Sequence, residues 1–262
     1  MHGNQPKQPE AGHSQLEHLE IGHAEVEWLE DTPVATAFDD PYFSKQQGLA
    51  ESRYVFLEQN RLAERFRQCS QDCSQEWLIA ETGFGTGLNA LLAAQLFLKA
   101  APPSAQLCWL SCEKFPLRQK DLQRAHHHWP ELAPLCQALQ SQWPSAKAGH
   151  YRLQLHPRVQ VVLSLMDAQT ALDHWQQQGH EVDAWCLDGF APARNPDMWQ
   201  QDLFDAMARL CKPGTSLATF TAAGFVRRGL QQAGFAMRKA PGFGSKREML
   251  VGEFAVTNTS AS

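Results

Sequence analysis

No stretch of the 262 residues holds the roughly 18 consecutive apolar side chains that a membrane-spanning helix requires, so no membrane partner is expected. Residues 1–15 are polar and have neither the basic flank nor the apolar centre of a secretory signal. Cysteine comes in an odd number, seven, and no C-x-x-C occurs. That excludes a complete disulfide framework and argues against a structural zinc. Cys69/Cys73 and Cys108/Cys112 are each spaced by four, and the second pair falls on a predicted strand, where both side chains share a face. Reduced thiols and a cytoplasmic location are the expectation. Internal repeats and low-complexity segments are also missing. His126-His127-His128 suggests a metal at first sight, but consecutive residues point different ways on a helix, so no metal is expected.

Positive charge is scarce at the start of the chain. Residues 1–60 hold three Lys/Arg (Lys7, Lys45, Arg53) against eleven Asp/Glu. Residues 190–250 reverse this, with nine Lys/Arg against four acids. The net charge of −5 taken alone disfavours a nucleic-acid partner, whereas the basic final third is compatible with a phosphate-binding face. Within it, Arg227/Arg228 and Lys246/Arg247 are the best candidates for phosphate contacts.

What is present is 43% hydrophobic content, enough for one large α/β domain with a small appendage. Residues 1–15 and 257–262 read as disordered tails, 16–75 as the appendage and 76–256 as the main domain. Leu16 to Leu29 alternates loosely around Gly22 and predicts a hairpin. Asp39-Asp40-Pro41-Tyr42-Phe43-Ser44 predicts a turn with its aromatics free to pack on a neighbouring surface. Leu49 to Phe66 has helical spacing. From Trp77 strands and helices alternate, which predicts a mostly parallel sheet. Strands are expected at Trp77–Ala80, Gln106–Cys112, Tyr151–Leu155, Val159–Met166, Val182–Leu187 and Ser216–Thr221, with a terminal antiparallel hairpin from Phe235–Lys239 and Glu248–Val256. Helices are expected over about 116–129, 132–143, 198–211 and 223–233, with Lys212-Pro213-Gly214 as a break.

The chain is organised around Glu81-Thr82-Gly83-Phe84-Gly85-Thr86-Gly87-Leu88-Asn89. A buried-strand run leads in, and Leu88–Leu98, dense in helix formers, leads out. Glycines at alternate positions, Gly83, Gly85 and Gly87, let the backbone turn sharply and approach a ligand closely. The spacing is G-x-G-x-G rather than the G-x-G-x-x-G of dinucleotide binders. A carboxylate, Glu81, closes the strand, which suits a cationic ligand better than a phosphate. This pattern resembles the first motif of class I S-adenosylmethionine-dependent methyltransferases, whose ligand carries a sulfonium and an ammonium.

Ligands in such sheets lie across the carboxyl ends of the strands. Acids fall at four of those ends: Glu81, Glu113, Asp167 and Asp188. Glu113 suits two ribose hydroxyls, because a carboxylate accepts two donors at once. Asp167 could accept from an adenine amino group, with the Ala168 N–H available to a ring nitrogen.

Asp188-Gly189-Phe190-Ala191-Pro192, followed by Arg194-Asn195-Pro196-Asp197-Met198-Trp199, sits where amino-group methyltransferases place an acid–x–aromatic–x–Pro segment. Together with Glu113-Lys114-Phe115-Pro116-Leu117, Ala222–Leu230, Gly242–Leu250 and Asp39–Ser44, it closely resembles the MnmC family over about residues 16–254. The resemblance implies a Rossmann-like class I fold with a seven-stranded sheet. It further implies transfer of a methyl group from S-adenosyl-L-methionine to the 5-aminomethyl group of the tRNA wobble uridine, giving 5-methylaminomethyl-2-thiouridine. Carried over residue by residue, the catalytic set is Asp188, Phe190 and Pro192. The cofactor set is Glu81, Gly83, Gly85, Gly87, Asn89, Glu113, Lys114, Asp167, Ala168 and Asp188. The tRNA contacts are Arg194, Arg227, Arg228, Lys246 and Arg247, and Phe190 or another ring would stack on the uracil. Bifunctional members continue into an FAD-dependent oxidase. No second dinucleotide loop occurs here, so the expectation is the methyltransferase half without FAD, free-standing or cut from a parent carrying that oxidase. Rival readings are an enzyme acting on a small free amine, such as an aminopropyltransferase, a nicotinamide dehydrogenase and a non-catalytic tRNA-binding module.

Overall fold

The computed structural model describes residues 19–44, 47–68 and 76–255. The expected tails and the Cys69/Cys73 pair lie outside these. In chain order the elements are β1 (Val26–Leu29), β2 (Thr32–Ala35), β3 (Asp40–Pro41), α1 (Gly48–Ser52), α2 (Leu62–Arg67), β4 (Glu76–Thr82), α3 (Leu88–Ala100), β5 (Gln106–Cys112), α4 (Gln119–His126), α5 (Ala133–Ser141), β6 (Gly149–His156), β7 (Val159–Leu165), α6 (Ala168–Gln177), β8 (Val182–Cys186), α7 (Gln201–Arg209), β9 (Cys211–Thr219), α8 (Gly224–Gln232), β10 (Phe235–Pro241) and β11 (Glu248–Phe254).

The main sheet has the order β10-β11-β9-β8-β4-β5-β7-β6. Its four central pairings, from β9 through β8, β4 and β5 to β7, are parallel, and both edges are antiparallel. The central strands are apolar on both faces because helices cover both. In β4, Trp77 and Ile79 join one core cluster while Leu78 and Ala80 join the other. In β5, Leu107 and Trp109 face the first, and Cys108, Leu110 and Cys112 the second. The period of two thus places Glu81, Trp109 and Ser111 on one face. Cys108 and Cys112 are buried free thiols.

Several expectations are corrected. The sheet has eight strands rather than seven, because Gly149–His156 pairs antiparallel with Val159–Leu165 as an edge strand. The N-terminal hairpin is β1 with β2, turning at Glu30-Asp31, and not around Gly22; Glu20 instead bridges to Lys147. The helix over 49–66 is broken into α1, a π-helical turn at Arg53–Glu58, and α2. Asn60 supplies the reason: its Nδ2 donates to the Phe56 carbonyl four residues back at 2.9 Å, and Arg61 follows with a φ of 53°. Lys212-Pro213-Gly214 does not precede β9 but lies within it, at a register shift opposite Val182 and Ala184. Such a bulge is where proline is tolerated in a sheet.

Candidate active site

β4 is the topological switch point: the chain lays β5, β7 and β6 on one side of it and then crosses to lay β8, β9, β11 and β10 on the other. Loops at the carboxyl ends of the strands open a crevice there. The crevice is a cavity of about 1010 Å³, at the upper end of small-molecule pockets. Its walls come from the loops after β4, β5, β7, β8 and β9 and from the segment Phe38–Ser44.

Gly83, Gly85 and Gly87 all have positive φ (86°, 54° and 74°). A Cβ on Gly83 would lie 3.5 Å from the Gly189 Cα, so the β4 and β8 loops run against each other. The Thr82 hydroxyl donates to the Asp188 carbonyl at 2.7 Å and ties the two together. Gly83 and Gly85 line the cavity. Gly87 does not: it precedes α3 and backs onto the Phe84 ring, where a Cβ would come within 2.7 Å. Its place is in shaping the loop.

Glu81 lies behind the lining as well. It is 1% exposed, outside the cavity lining, and its carboxylate accepts from Asn89 Nδ2 (2.8 Å), Ser111 Oγ (2.8 Å) and Trp109 Nε1 (3.1 Å). Burial, then the neighbouring Asp188 carboxylate, push its pKa up to about 8. Asn89 lines the cavity, but its amide is occupied by protein groups, since Nδ2 also donates to Asp188 Oδ2 at 2.7 Å.

Glu113 faces the cavity with one oxygen accepting from Gly85 N (2.9 Å) and the other from Phe115 N (2.9 Å). Burial raises its pKa, and these amides oppose the shift. Each oxygen keeps a lone pair for a diol. Asp167 lines the cavity too, but it caps α6, accepting from Thr170 N (3.0 Å) and Thr170 Oγ1 (2.7 Å). Ala168 and Lys114 complete that wall, with the Lys114 ammonium 5.4 Å from the Phe115 ring.

Asp188 lines the cavity beside the glycine loop. Oδ1 accepts from Gly189 N at 2.8 Å and Oδ2 from Asn89. Burial raises its pKa to about 6, opposed by those two hydrogen bonds and by Lys246. Phe190 was expected to stack on a base, yet Phe38 already stacks on it at 4.6 Å and Tyr42 meets its edge at 5.3 Å. Pro192 lines the cavity beside it. The loop is pinned from the N-terminal segment. Ala191 N donates to Asp40 Oδ2 (2.8 Å), and Arg194 pairs with Asp39 (2.8 Å). Both side chains of that pair stay exposed.

The basic candidates divide similarly. Lys246 lines the cavity, pairs with Glu51 at 2.8 Å and lies 5.0 Å from the Phe220 ring, so it belongs to the pocket. Arg247 and Arg228 are exposed. The Gly242–Arg247 loop and the first turns of α8 both lie at the carboxyl end of β9, on the rim of the crevice. Sequence reading missed Tyr42, Phe38, Ser52 and Glu51 as wall residues; only the aromatic cluster in Asp39–Ser44 hinted at any of them. Burial, then the nearby Glu113 and Asp121 carboxylates, push the Tyr42 phenol far above its usual range, so it stays neutral. In the histidine triplet, His126 Nε2 donates to the Thr86 carbonyl at 2.9 Å and its Nδ1 faces Gln140. No cluster of three metal-ligating side chains occurs among the described residues.

Residues 130–255 match a family described as S-adenosyl-L-methionine-dependent methyltransferase. That stretch, which carries the Asp188 loop, has the sequence pattern of an S-adenosyl-L-methionine-dependent methyltransferase. The fold of the chain is similar to the crystal structure of MNMC2 from Aquifex aeolicus, with a TM-score of 0.67 and 21% identity over 94% of this chain and 75% of that one. More distant are a SAM-dependent methyltransferase from Agrobacterium tumefaciens (TM-score 0.44, 11% identity, 90% and 71% covered) and SAM-bound CalS10, an amino pentose methyltransferase from Micromonospora echinaspora (0.40, 14%, 82% and 98%). The cavity fits the donor chemically: glycines without Cβ atoms on one side, Glu113 for a diol, and acids suited to a cation. Among the described residues no helix is long and apolar enough to cross a membrane.

Proposed function

We propose that this protein methylates the 5-aminomethyl group of a tRNA wobble uridine, giving the 5-methylaminomethyl nucleoside. The observation that carries the reading is Asp188, a partly desolvated carboxylate on the cavity wall, on a loop where Phe190 and Pro192 follow at alternate positions. Bound S-adenosyl-L-methionine supplies an electrophilic methyl group. Gly83, Gly85 and Glu113 would hold the donor, and Asp188, beside them on the cavity lining, would meet the acceptor amine. Only the neutral amine carries a lone pair, and a lysine-like amine is neutral in roughly one part in 2,500 at pH 7. A neighbouring carboxylate does not increase that share, since it stabilises the ammonium. Asp188, mostly ionised at neutral pH, instead orients the amine and stabilises the positive charge that builds on nitrogen.

A tRNA partner is supported by the rim. Exposed Phe115 and Phe225 stand near Lys114 and Arg228, and rings interleaved with cations suit unpaired nucleotides. The fold likeness to MNMC2 agrees with this reading. The test is labelled S-adenosyl-L-methionine with tRNA lacking only the terminal methyl group, run beside small primary amines. Label in the wobble nucleoside is expected; label only in free amines would replace this reading with the small-amine one. Asp188→Asn should lower the single-turnover rate about 10²–10³-fold with donor affinity nearly intact. A wild-type rate would remove Asp188 from the chemistry.

A further inference from the structure

Asn89 occupies the first turn of α3 and is 6% exposed. Its side chain has two amide hydrogens and one oxygen, and all three face protein groups. One hydrogen goes to Glu81 Oε1 at 2.8 Å and the other to Asp188 Oδ2 at 2.7 Å. The Ser52 hydroxyl, from α1, donates to Oδ1. The orientation is thereby fixed, because a flipped amide would set its oxygen against the Asp188 carboxylate. Asn89 thus joins three elements, β4, α1 and the loop after β8, at the carboxylate that faces the acceptor.

We propose that Asn89 is a positioning residue for methyl transfer, holding Asp188 in one orientation against the buried Glu81 and acting through Asp188 rather than on the methyl donor. The inference rests on the role given to Asp188 above. With Gly189 N on Oδ1 and Asn89 on Oδ2, both carboxylate oxygens are anchored, and the lone pairs left over are confined to one direction. Two acids linked through one amide do not both ionise readily near neutrality. Glu81, the more deeply enclosed, keeps its proton, and Asp188 keeps the charge. The other groups facing Asp188 are Lys246 from the 242–247 loop, which favours its charge, Glu51 from α1, which opposes it, and the Cys186 thiol beneath, which burial keeps neutral. Asn89 separates the two acids and donates to the ionised one.

The test uses the full chain with isotope-labelled Asp and Glu, following the Asp188 carboxyl by NMR titration without substrate. Asn89→Leu removes both donors at similar volume. The Asp188 titration should move up by roughly one to two units, the size of one charge-assisted hydrogen bond. The acid limb of the single-turnover rate should move with it. At pH 7 the rate should fall about two- to tenfold from lost ionisation alone, and part of that loss should recover by about pH 9. Donor affinity should stay within about threefold. An unmoved titration in a folded Asn89→Leu protein overturns the proposal. So does a loss of donor affinity matching the loss of rate, which would make Asn89 a donor contact. If Asn89→Leu does not fold, Ser52→Ala frees the amide while keeping both donors: a smaller upward shift supports the proposal and no shift overturns it. A wild-type rate in Asp188→Asn would be a separate failure, that of the role assigned to Asp188, because the titration is read on the free protein.

Discussion

The buried acid Glu81 makes the stability of this domain depend on pH in a way that one substitution can expose. Its pKa rises from the ordinary 4.5 to about 8, by burial first and the Asp188 charge second. The native state therefore keeps a proton that the unfolded chain loses above about pH 4.5. Stability is fullest below that point and is lost as pH climbs towards 8. Between about pH 6 and pH 9 the loss from Glu81 comes to about 2–3 kcal/mol, while Asp188, with a pKa of about 6, adds only a few tenths. Glu81→Gln carries no titrating proton, so its curve should be flatter. It has a fixed cost of its own. Oε2 accepts from both Ser111 and Trp109; the serine hydroxyl can turn round to meet an N–H, but the indole N–H cannot. One unmet donor pair costs about 1–3 kcal/mol at any pH. The variant should therefore be the less stable protein near pH 6 and close the gap, or overtake wild type, near pH 9. Urea denaturation at four pH values across that window reads the difference directly. Parallel curves, with a gap constant to about 0.5 kcal/mol, would refute the reasoning and mean that Glu81 is charged in the native state.

Three further outcomes follow from the site. Gly85→Val should abolish calorimetric binding of S-adenosyl-L-methionine, because φ is 54° there and a Cβ would already stand 3.0 Å from the Tyr42 ring; wild-type affinity would remove the glycine loop from the donor site. Glu113→Ala should weaken donor binding by about tenfold to a hundredfold, the loss of a charged acceptor for two hydroxyls, and an unchanged calorimetric Kd would reassign that carboxylate. Arg228→Glu with Arg247→Glu should weaken tRNA binding and flatten the slope of log affinity against log salt by roughly 1.5–2, with donor binding unaffected. An unchanged slope would move the nucleic-acid interface elsewhere.

Much of this site is legible in the sequence for reasons that are local. A strand that ends in a glycine loop puts its final residues at the ligand edge, and the acids closing β4, β5, β7 and β8 could be found by counting from each apolar run. Local reasoning failed where a side chain's partner lies far along the chain. Glu81 and Asn89 looked like ligand contacts, yet each is occupied by residues from other elements: Trp109 and Ser111 for one, Ser52 and Asp188 for the other. Arg194 and Lys246 looked free for phosphate, and each has an acid from the first 51 residues as its partner. The break between α1 and α2 was hidden because helical spacing continues through it, while the competitor for the backbone is the side chain of Asn60.

The pinning of the reactive loop from the N-terminal side has a consequence for where the chain can be divided. A fragment beginning at β4 would hold every strand of the eight-stranded sheet and the glycine loop, but not the core side chains Phe56, Leu57, Leu62 and Phe66. It would lose Asp40, which holds Ala191; Asp39, which holds Arg194; Phe38 and Tyr42, which brace Phe190; and Ser52, which clamps Asn89. The shape of the 188–199 loop would go with them, and Gly85 would lose the Tyr42 ring that packs against it. Residues 38–44 and 47–52 thus help wall the cavity beside the 188–199 loop, from a stretch of chain that contributes no strand to the eight-stranded sheet.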